Sequence, residues 1–440
     1  MGYVTRYPTE PDDLSWPEYN LEVCPDAEQD QPVNGIKLKP EGSDGLPPLV
    51  LGTGTFNNVY DNSANVTGDQ FLRITRLALR YGINAFDTAP HYHPSEIVLG
   101  KALKALRNEY PRESYQIITK TGKYSPMRAD HDLSEKMIRL CVERSLERFE
   151  TDYLDVVYLH DVEFNSSLNL PAGNHTLALS DPATAESYGL APGSEGKIWG
   201  EGDQRILDAM NVLRELKKEG KIKRIGFSGT YFAEVLTDCQ AHLTSDASAY
   251  PLPTLLRLSL LVLHTAPFEP VDIIQTYSHQ NLQNTGLSPY LPEFRNRAKV
   301  GTVMNASPLN MGLLTTAGPP EWHPAPKELR DCANEAKEIV KASGVKVMGG
   351  EEQRAVKLEE LAVSFGMRDL DNVQGSAPPV VVGCGTLDQV HQAVASYIAV
   401  KEPKDKALDE QLKALEQRVR NHIESRGFRD WSWESPQPGT

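Results

Sequence analysis

Short apolar runs rich in β-branched residues alternate along the chain with longer stretches whose apolar positions recur every three or four residues. Eight of the short runs read as strands: Leu49–Gly52, Ala85–Asp87, Gln116–Lys120, Val156–His160, Arg224–Ser228, Ile273–Gln275, Thr302–Ala306 and Val380–Gly383. Each is brief and nearly continuous in apolar character, as parallel strands covered on both faces are. The stretches between them predict amphipathic helices. Asp69 stands where it can cap one that carries Phe71, Ile74, Leu77 and Ala78 and ends at Gly82. Ser95 can cap the next, with Val98, Leu99, Ala102 and Leu106 on one face. Ile138, Cys141, Val142, Leu146 and Phe149 share a face of a third. Ile206, Met210, Leu213 and Leu216 do so in a fourth, ended by Gly220.

Strand followed by helix eight times predicts an α/β chain folded as a (β/α)8 TIM barrel, with a doubly wound sheet as the alternative on this pattern alone. The barrel is expected over residues 47–402. Two segments interrupt the repeat: residues 165–202, rich in Ser, Asn, Gly and Pro, and residues 241–270, which lengthen the fifth unit. Residues 1–46 form an irregular, Pro- and acid-rich extension, expected to supply a plug or hairpin at the barrel's bottom. Residues 403–440 predict a C-terminal helix and tail packed outside.

Composition narrows the classes. A chain of 440 residues can bury a large core. Apolar residues at 40% and charged residues at 24% exclude wholesale disorder. Lys and Arg number 45 against 60 Asp and Glu, a net charge of −15, which argues against nucleic acid or an anionic membrane as partner. Cys24, Cys141, Cys239, Cys332 and Cys384 form no CxxC pair, which fits a reduced intracellular protein and neither a disulfide scaffold nor a zinc ribbon. The first residues carry no apolar leader, and Leu255–Leu263 is too short to span a membrane. The expectation is a soluble cytoplasmic protein; its oligomeric state is not readable.

Barrel active sites lie at the C-terminal ends of the strands. Asp87 ends the second strand, with Tyr92 five residues on; Lys120 ends the third, His160 the fourth, Ser228 the fifth and Gln275 the sixth. The first four suit one task. A free tyrosine has a pKa of about 10, and a nearby ammonium stabilises its phenolate. A buried lysine needs a carboxylate to stay charged. A histidine can orient an alcohol or carbonyl oxygen. Such a set moves one proton to or from an oxygen while something else moves a hydride. Any one of these residues alone reads more readily as a turn, rim or strand-end residue than as a catalytic one; their joint placement carries the chemistry.

FDTAPHY (86–92), ITKTGKY (118–124), VYLHDVEF (157–164) and RIGFSG (224–229) resemble the aldo-keto reductase superfamily, with Asp87, Tyr92, Lys120 and His160 matching its catalytic tetrad. HDVEF, ASPLNMGLLT (306–315) and GPPEWHPAP (318–326) are similar to a narrower branch, the sugar dehydrogenases of D-arabinose 1-dehydrogenase and L-galactose dehydrogenase type. The resemblance spans residues 47–400 and implies a nicotinamide cofactor laid across the barrel mouth. Ser228 and Gln275 match positions that hold the carboxamide. Ser307, Leu309 and Gly312 fall in the loop beside the pyrophosphate. Gly383, Gly385 and Thr386 open the last helix, whose N-terminus can bind phosphate, and Gln389 follows. GTGTFN (52–57) and GCGTLD (383–388) hold only GxG, so a Rossmann fingerprint is absent.

Three departures from the family pattern stand out. Gly229 replaces the Asn of many relatives, and Ala306 replaces the tyrosine that stacks on the nicotinamide. Gly383 and Gln389 stand where NADP-dependent relatives place Lys and Arg. A 2′-phosphate needs cationic partners, so the expected cofactor is NAD, with NADP left open through Lys101 or Lys104. The resemblance implies oxidation of an aldose at C1 to the lactone, without a metal. Three alternatives remain. One is a metal hydrolase using His91 and His93 as an HxH pair. Another is a non-catalytic nucleotide-binding barrel, and the third a carbonyl reductase running the reaction in reverse. Asn165, Ser166, Ser167 and Asn169 offer partners for sugar hydroxyls, but the sugar itself is not readable.

Overall fold

Eight parallel strands close on one another, and each takes its place in the wall by pairing with its neighbours in sequence until the last meets the first. A computed structural model describes residues 18–40, 44–57, 68–124, 130–168, 175–229, 251–321, 323, 325–349, 352–370 and 377–431. The strands are β1 (Leu49–Gly52), β2 (Ala85–Asp87), β3 (Gln116–Thr121), β4 (Leu154–Leu159), β5 (Ile222–Ser228), β6 (Ile273–Tyr277), β7 (Thr302–Ala306), β8 (Lys346–Gly349), β9 (Glu352–Ala355) and β10 (Val380–Gly383). The barrel order is β1-β10-β7-β6-β5-β4-β3-β2, and β8 and β9 form a separate antiparallel hairpin. All eight expected strands are present, and His160 lies one residue beyond β4. Closure is made by β1 on β10, with Leu49 opposite Val380 and Gly52 opposite Gly383.

Period-two alternation decides what faces the barrel axis. Val50, Ala85, Ile118, Val156, Tyr158, Ile273, Met304, Ala306 and Val381 pack together as one cluster, with Leu46 below them. Two residues further along their strands from Ala85, Ile118 and Ile273 come Asp87, Lys120 and Gln275, so the same parity that builds the inner core lifts these polar groups to its upper rim. On β5 the inward position below Ser228 is Gly226, where an added Cβ would stand 1.6 Å from the Ile273 carbonyl oxygen. The outward residues of the strands join a larger core with the surrounding helices, Gln70–Tyr81, Ser95–Ala105, Glu135–Phe149 and Glu201–Lys218 among them.

Two caps differ from expectation. Asp69 has helical φ/ψ (−84°, −4°) and its side chain caps nothing, because a capping side chain needs an extended backbone to reach back. Ser95 is inside its helix, with Pro94 at the capping position. Its Oγ instead bonds the carbonyl and hydroxyl of Thr53 (both 2.8 Å) and the Thr88 hydroxyl (2.9 Å), tying the helix to the ends of β1 and β2.

The N-terminal segment forms no hairpin among its described residues. Two short turns, Glu28–Asp30 and Val33–Gly35, lie against the helices Gln70–Tyr81 and Leu387–Lys401, held by a two-point Asp30–Arg73 ion pair and by Leu38 N–H on the Tyr81 carbonyl. The bottom of the barrel is closed by Leu46, which is fully buried in the inner cluster. The C-terminal helix Lys406–Ser425 buries Leu412, Leu415, Val419 and Ile423 against Lys327–Lys341 and Leu358–Gly366, outside the barrel.

The insertion at 165–202 holds two short helices, the 3-10 helix His175–Leu179 and the α-helix Pro182–Ser187. The second insertion supplies the helix Pro251–Leu263, whose leucines from Leu252 to Leu261 are buried; residues 241–250, like Asn169 and Cys239, lie outside the described residues. Arg257, 2% exposed, joins the two insertions through Asp203 (2.7 and 3.0 Å) and Ser166 (2.6 Å). No helix of the described residues is long and apolar enough to cross a membrane.

Candidate active site

A cavity of about 620 Å³ opens at the C-terminal ends of the strands. Asp87, Tyr92, Lys120 and His160 all line it, as do Ser228, Gln275, Ser307, Leu309, Gly312, Gly383, Gly385, Thr386 and Gln389. The residues expected for catalysis and cofactor binding are therefore brought to one concavity, by seven of the eight strands and the loops that follow them; Asn165, Ser166 and Ser167, offered as partners for sugar hydroxyls, do not line it.

At its floor Lys120 Nζ donates to Asp87 Oδ1 (2.7 Å) and to the Thr88 carbonyl (2.8 Å). Gln275 Nε2 donates to the other carboxylate oxygen of Asp87 (3.2 Å). Burial pushes the Asp87 carboxyl above its ordinary range, against the opposing pull of Lys120. The ammonium lies 5.0 Å from the centre of the Tyr92 ring. The His160 ring stands edge-on to Tyr92 at 5.8 Å. Burial, reinforced by Lys123 and Lys120, holds the His160 imidazole well below its usual pKa, so it is neutral. The arrangement is a cation fixed by a carboxylate, a phenol beside it, and an uncharged imidazole edge-on to the phenol.

Around this floor the polar groups suit a nicotinamide. Ser228 and Gln275 are opposite one another in the β5–β6 register. Ser228 Oγ and Gln275 Oε1 are buried with no partner among the described residues. One is a hydroxyl and the other a carbonyl oxygen, the donor and acceptor a carboxamide requires. The loop after β7 is wound through left-handed residues, Ser307 (φ 61°), Asn310 (52°), Met311 (53°) and Gly312 (92°). His323 Nε2 contacts the Asn310 carbonyl at 3.0 Å, and Asn310 Nδ2 donates to Gln283, which reaches Phe428 and Trp431 near the C-terminus.

The N-terminus of helix Leu387–Lys401 is less open to anions than the sequence suggested. Thr386 caps it by accepting from Gln389 N–H, and Gln389 Oε1 accepts from Gly385 N–H. Two of the N–H groups are thus satisfied internally, and Asp388 puts a negative charge in the first turn. The cations among the described lining residues, Lys120 and Lys123, both belong to the tetrad end of the cavity.

Sequence reasoning passed over Lys123, Asp161, Tyr277 and Met311, which also line the cavity; so does His91, which the sequence offered only as half of an HxH metal pair. Tyr277 stands beside Ala306 in the β6–β7 register and faces inward by the same parity as Gln275; the signal for it was that β6 runs two residues past Gln275. Its hydroxyl engages Ser307, and burial pushes its pKa up to about 12. His91 and His160 rings lie 5.7 Å apart. Among the described residues no group of three or more His, Cys, Asp or Glu side chains could hold a metal ion.

A strand-end site of this kind on a closed eight-stranded barrel defines a family. The model of the Aldo/keto reductase family matches residues 48–413, and this chain belongs to that family of nicotinamide-dependent oxidoreductases. It is 29% identical over 403 residues to D-arabinose 1-dehydrogenase of Saccharomyces cerevisiae, covering 91% of this chain and 98% of the yeast protein. It is 30% identical over 380 residues to L-galactose dehydrogenase of Arabidopsis thaliana, covering 86% and 92% respectively. Among solved structures, an aldo-keto reductase from Bacillus halodurans superposes with a TM-score of 0.50 at 19% identity, over 91% of this chain and 98% of the other, a likeness of fold.

Proposed function

We propose that this protein is an NAD-preferring sugar dehydrogenase that oxidises the C1 hemiacetal hydroxyl of an aldose to the corresponding lactone. The observation that carries the reading is the floor of the cavity. Lys120 is clamped by Asp87 within 5.0 Å of the Tyr92 ring centre, and neutral His160 stands edge-on to that ring. Two near-full-length relatives named for sugar dehydrogenation support the substrate class. NAD, when bound, supplies the hydride acceptor. Tyr92 takes the proton of the C1 hydroxyl, its phenolate favoured by the Lys120 cation. Asp87 keeps that cation charged and in place. His160 holds the substrate oxygen by a hydrogen bond from an uncharged ring. Ser228 and Gln275 orient the carboxamide, and Tyr277 presents the aromatic face that Ala306 lacks. The preference for NAD is supported by Gln389, engaged with Gly385, and by Asp388. The protein is assigned no metal.

The test is a panel of aldoses, including D-arabinose, L-galactose and L-fucose, with NAD and with NADP, followed at the absorbance of the reduced cofactor. Turnover of an aldose with NAD is expected. Failure of every aldose with both cofactors would exclude the reading.

A further inference from the structure

A second buried cation–carboxylate pair stands beside the tetrad and takes no part in the proton transfer. Lys123 Nζ lies 2.5 Å from Asp161 Oδ2, and the two side chains are 1% and 0% exposed. Both line the same cavity as Tyr92 and His160. Two ions withdrawn from water cost several kcal/mol each, and their mutual attraction offsets this only when the remaining donors and acceptors are also used. Here the set is incomplete: Asp161 Oδ1 is buried and makes no hydrogen bond among the described residues. It stands 3.6 Å from His160 Nε2, too far for a good hydrogen bond. Asp161 also holds a left-handed backbone (φ 51°, ψ 55°). The Phe164 ring, 5.1 Å from Lys123 Nζ and stacked on His131 at 4.7 Å, walls the pair on another side.

We propose that Lys123 and Asp161 form a recognition site for the hydroxyl on the carbon adjacent to the reacting one, so that the enzyme selects 2-hydroxy aldoses. This rests on the dehydrogenase reading above. A hydroxyl is both donor and acceptor, and the pair offers one of each: Asp161 Oδ1 accepts its proton and Lys123 donates to its oxygen. A substrate whose C1 oxygen rests on His160 carries its C2 oxygen one carbon–carbon bond away, and Asp161 Oδ1 stands 3.6 Å from the same imidazole's Nε2. Lys123 and Asp161 bind and orient; no bond is made or broken on them. A substrate without that hydroxyl leaves a buried carboxylate oxygen unpaired, the situation in which hydrogen-bonding sites discriminate most strongly.

The experiment compares kcat/KM for D-arabinose and its 2-deoxy counterpart, 2-deoxy-D-ribose, with NAD. Wild-type enzyme is expected to favour D-arabinose by at least 100-fold. Asp161→Asn and Lys123→Met are expected to shrink that ratio at least tenfold, mainly by losing activity on D-arabinose. The double variant Lys123→Met/Asp161→Asn removes both charges together, so no buried ion is left unpaired; its thermal melt and NADH binding verify folding, and its ratio must collapse likewise. A wild-type ratio within threefold of one overturns this assignment while leaving the dehydrogenase reading intact. So do folded variants that lose both sugars equally. Turnover of neither sugar by wild type, nor of any other aldose, overturns both.

Discussion

Gln389 turns its side-chain carbonyl back onto the backbone N–H of Gly385, at 2.6 Å, at the mouth of the helix that closes the cofactor end of the cavity. A side chain so engaged satisfies its own chain and offers no positive charge to a ligand. NAD is therefore expected to exceed NADP in kcat/KM. Gln389→Arg frees the loop and adds a cation; one charge-assisted contact is worth about 1.5–3 kcal/mol, so kcat/KM for NADP should rise roughly 10- to 100-fold. Wild-type enzyme that already prefers NADP would refute the inference from this helix.

Tyr92→Phe keeps the ring that Lys120 and His160 face and removes the proton acceptor. The expected loss in kcat is about 10²–10⁴-fold, the usual worth of general acid–base catalysis, with NADH affinity retained in a fluorescence titration. Near-wild-type turnover would take Tyr92 out of the mechanism. Lys120→Met removes the cation that favours phenolate, so any remaining activity should need more alkaline solution.

Tyr277 stands next to Ala306 and faces the cavity. If its ring is the face on which the nicotinamide rests, Tyr277→Ala should weaken NADH binding about 2- to 10-fold, matching a stacking contribution of ~0.5–1.5 kcal/mol. Tyr277→Phe should bind as wild type does. Equal loss in both variants would point instead to the hydroxyl on Ser307.

Five buried histidines make the fold acid-sensitive. Burial holds His91, His160 and His175 well below their ordinary pKa, His279 at about 3 and His323 at about 4. The unfolded chain protonates each near 6.5. The folded state therefore binds fewer protons between that value and its own lower pKa. The stability each contributes is complete above about 6.5 and is lost as the pH falls, at up to ~1.4 kcal/mol per pH unit per group. Asp87 and Asp161, raised by burial, act in the opposite sense. Melting temperature should fall steeply from pH 6.5 to pH 5, and His279→Gln should flatten the slope. A pH-independent melt across that interval would contradict the assignment.

Much of this was legible in the residues because a closed parallel barrel leaves strong marks. Its strands are buried on both faces, so they show as unbroken apolar runs, and its chemistry sits where those runs end. Asp87, Lys120 and His160 could be placed on that ground. Other features depend on contacts that no local pattern carries. Asp69 and Ser95 looked like caps because capping residues are common at such positions; the helical backbone of one and the Thr53–Thr88 contacts of the other decided otherwise. Lys123 and Asp161 are 38 positions apart, each an ordinary charged residue until the β3–β4 pairing sets their loops side by side. Arg257 is the charged residue within the apolar run Leu255–Leu263, and the structure makes it the buried link between the two insertions through Ser166.

Leu49 pairs with Val380 to seal the wall. On a ribosome, the strand that completes the cylinder emerges more than three hundred residues after the one it must meet. Until then a nascent chain carries two parallel edges with unpaired amides, β1 on one side and the latest strand on the other, the template on which foreign strands add. The strand pair of greatest separation along the chain is thus also the one that ends its exposure. A chain stopped before Val380 would hold Asp87, Lys120, His160 and Gln275, yet lack the seam that makes a closed mouth, and would be a substrate for chaperones rather than a smaller enzyme.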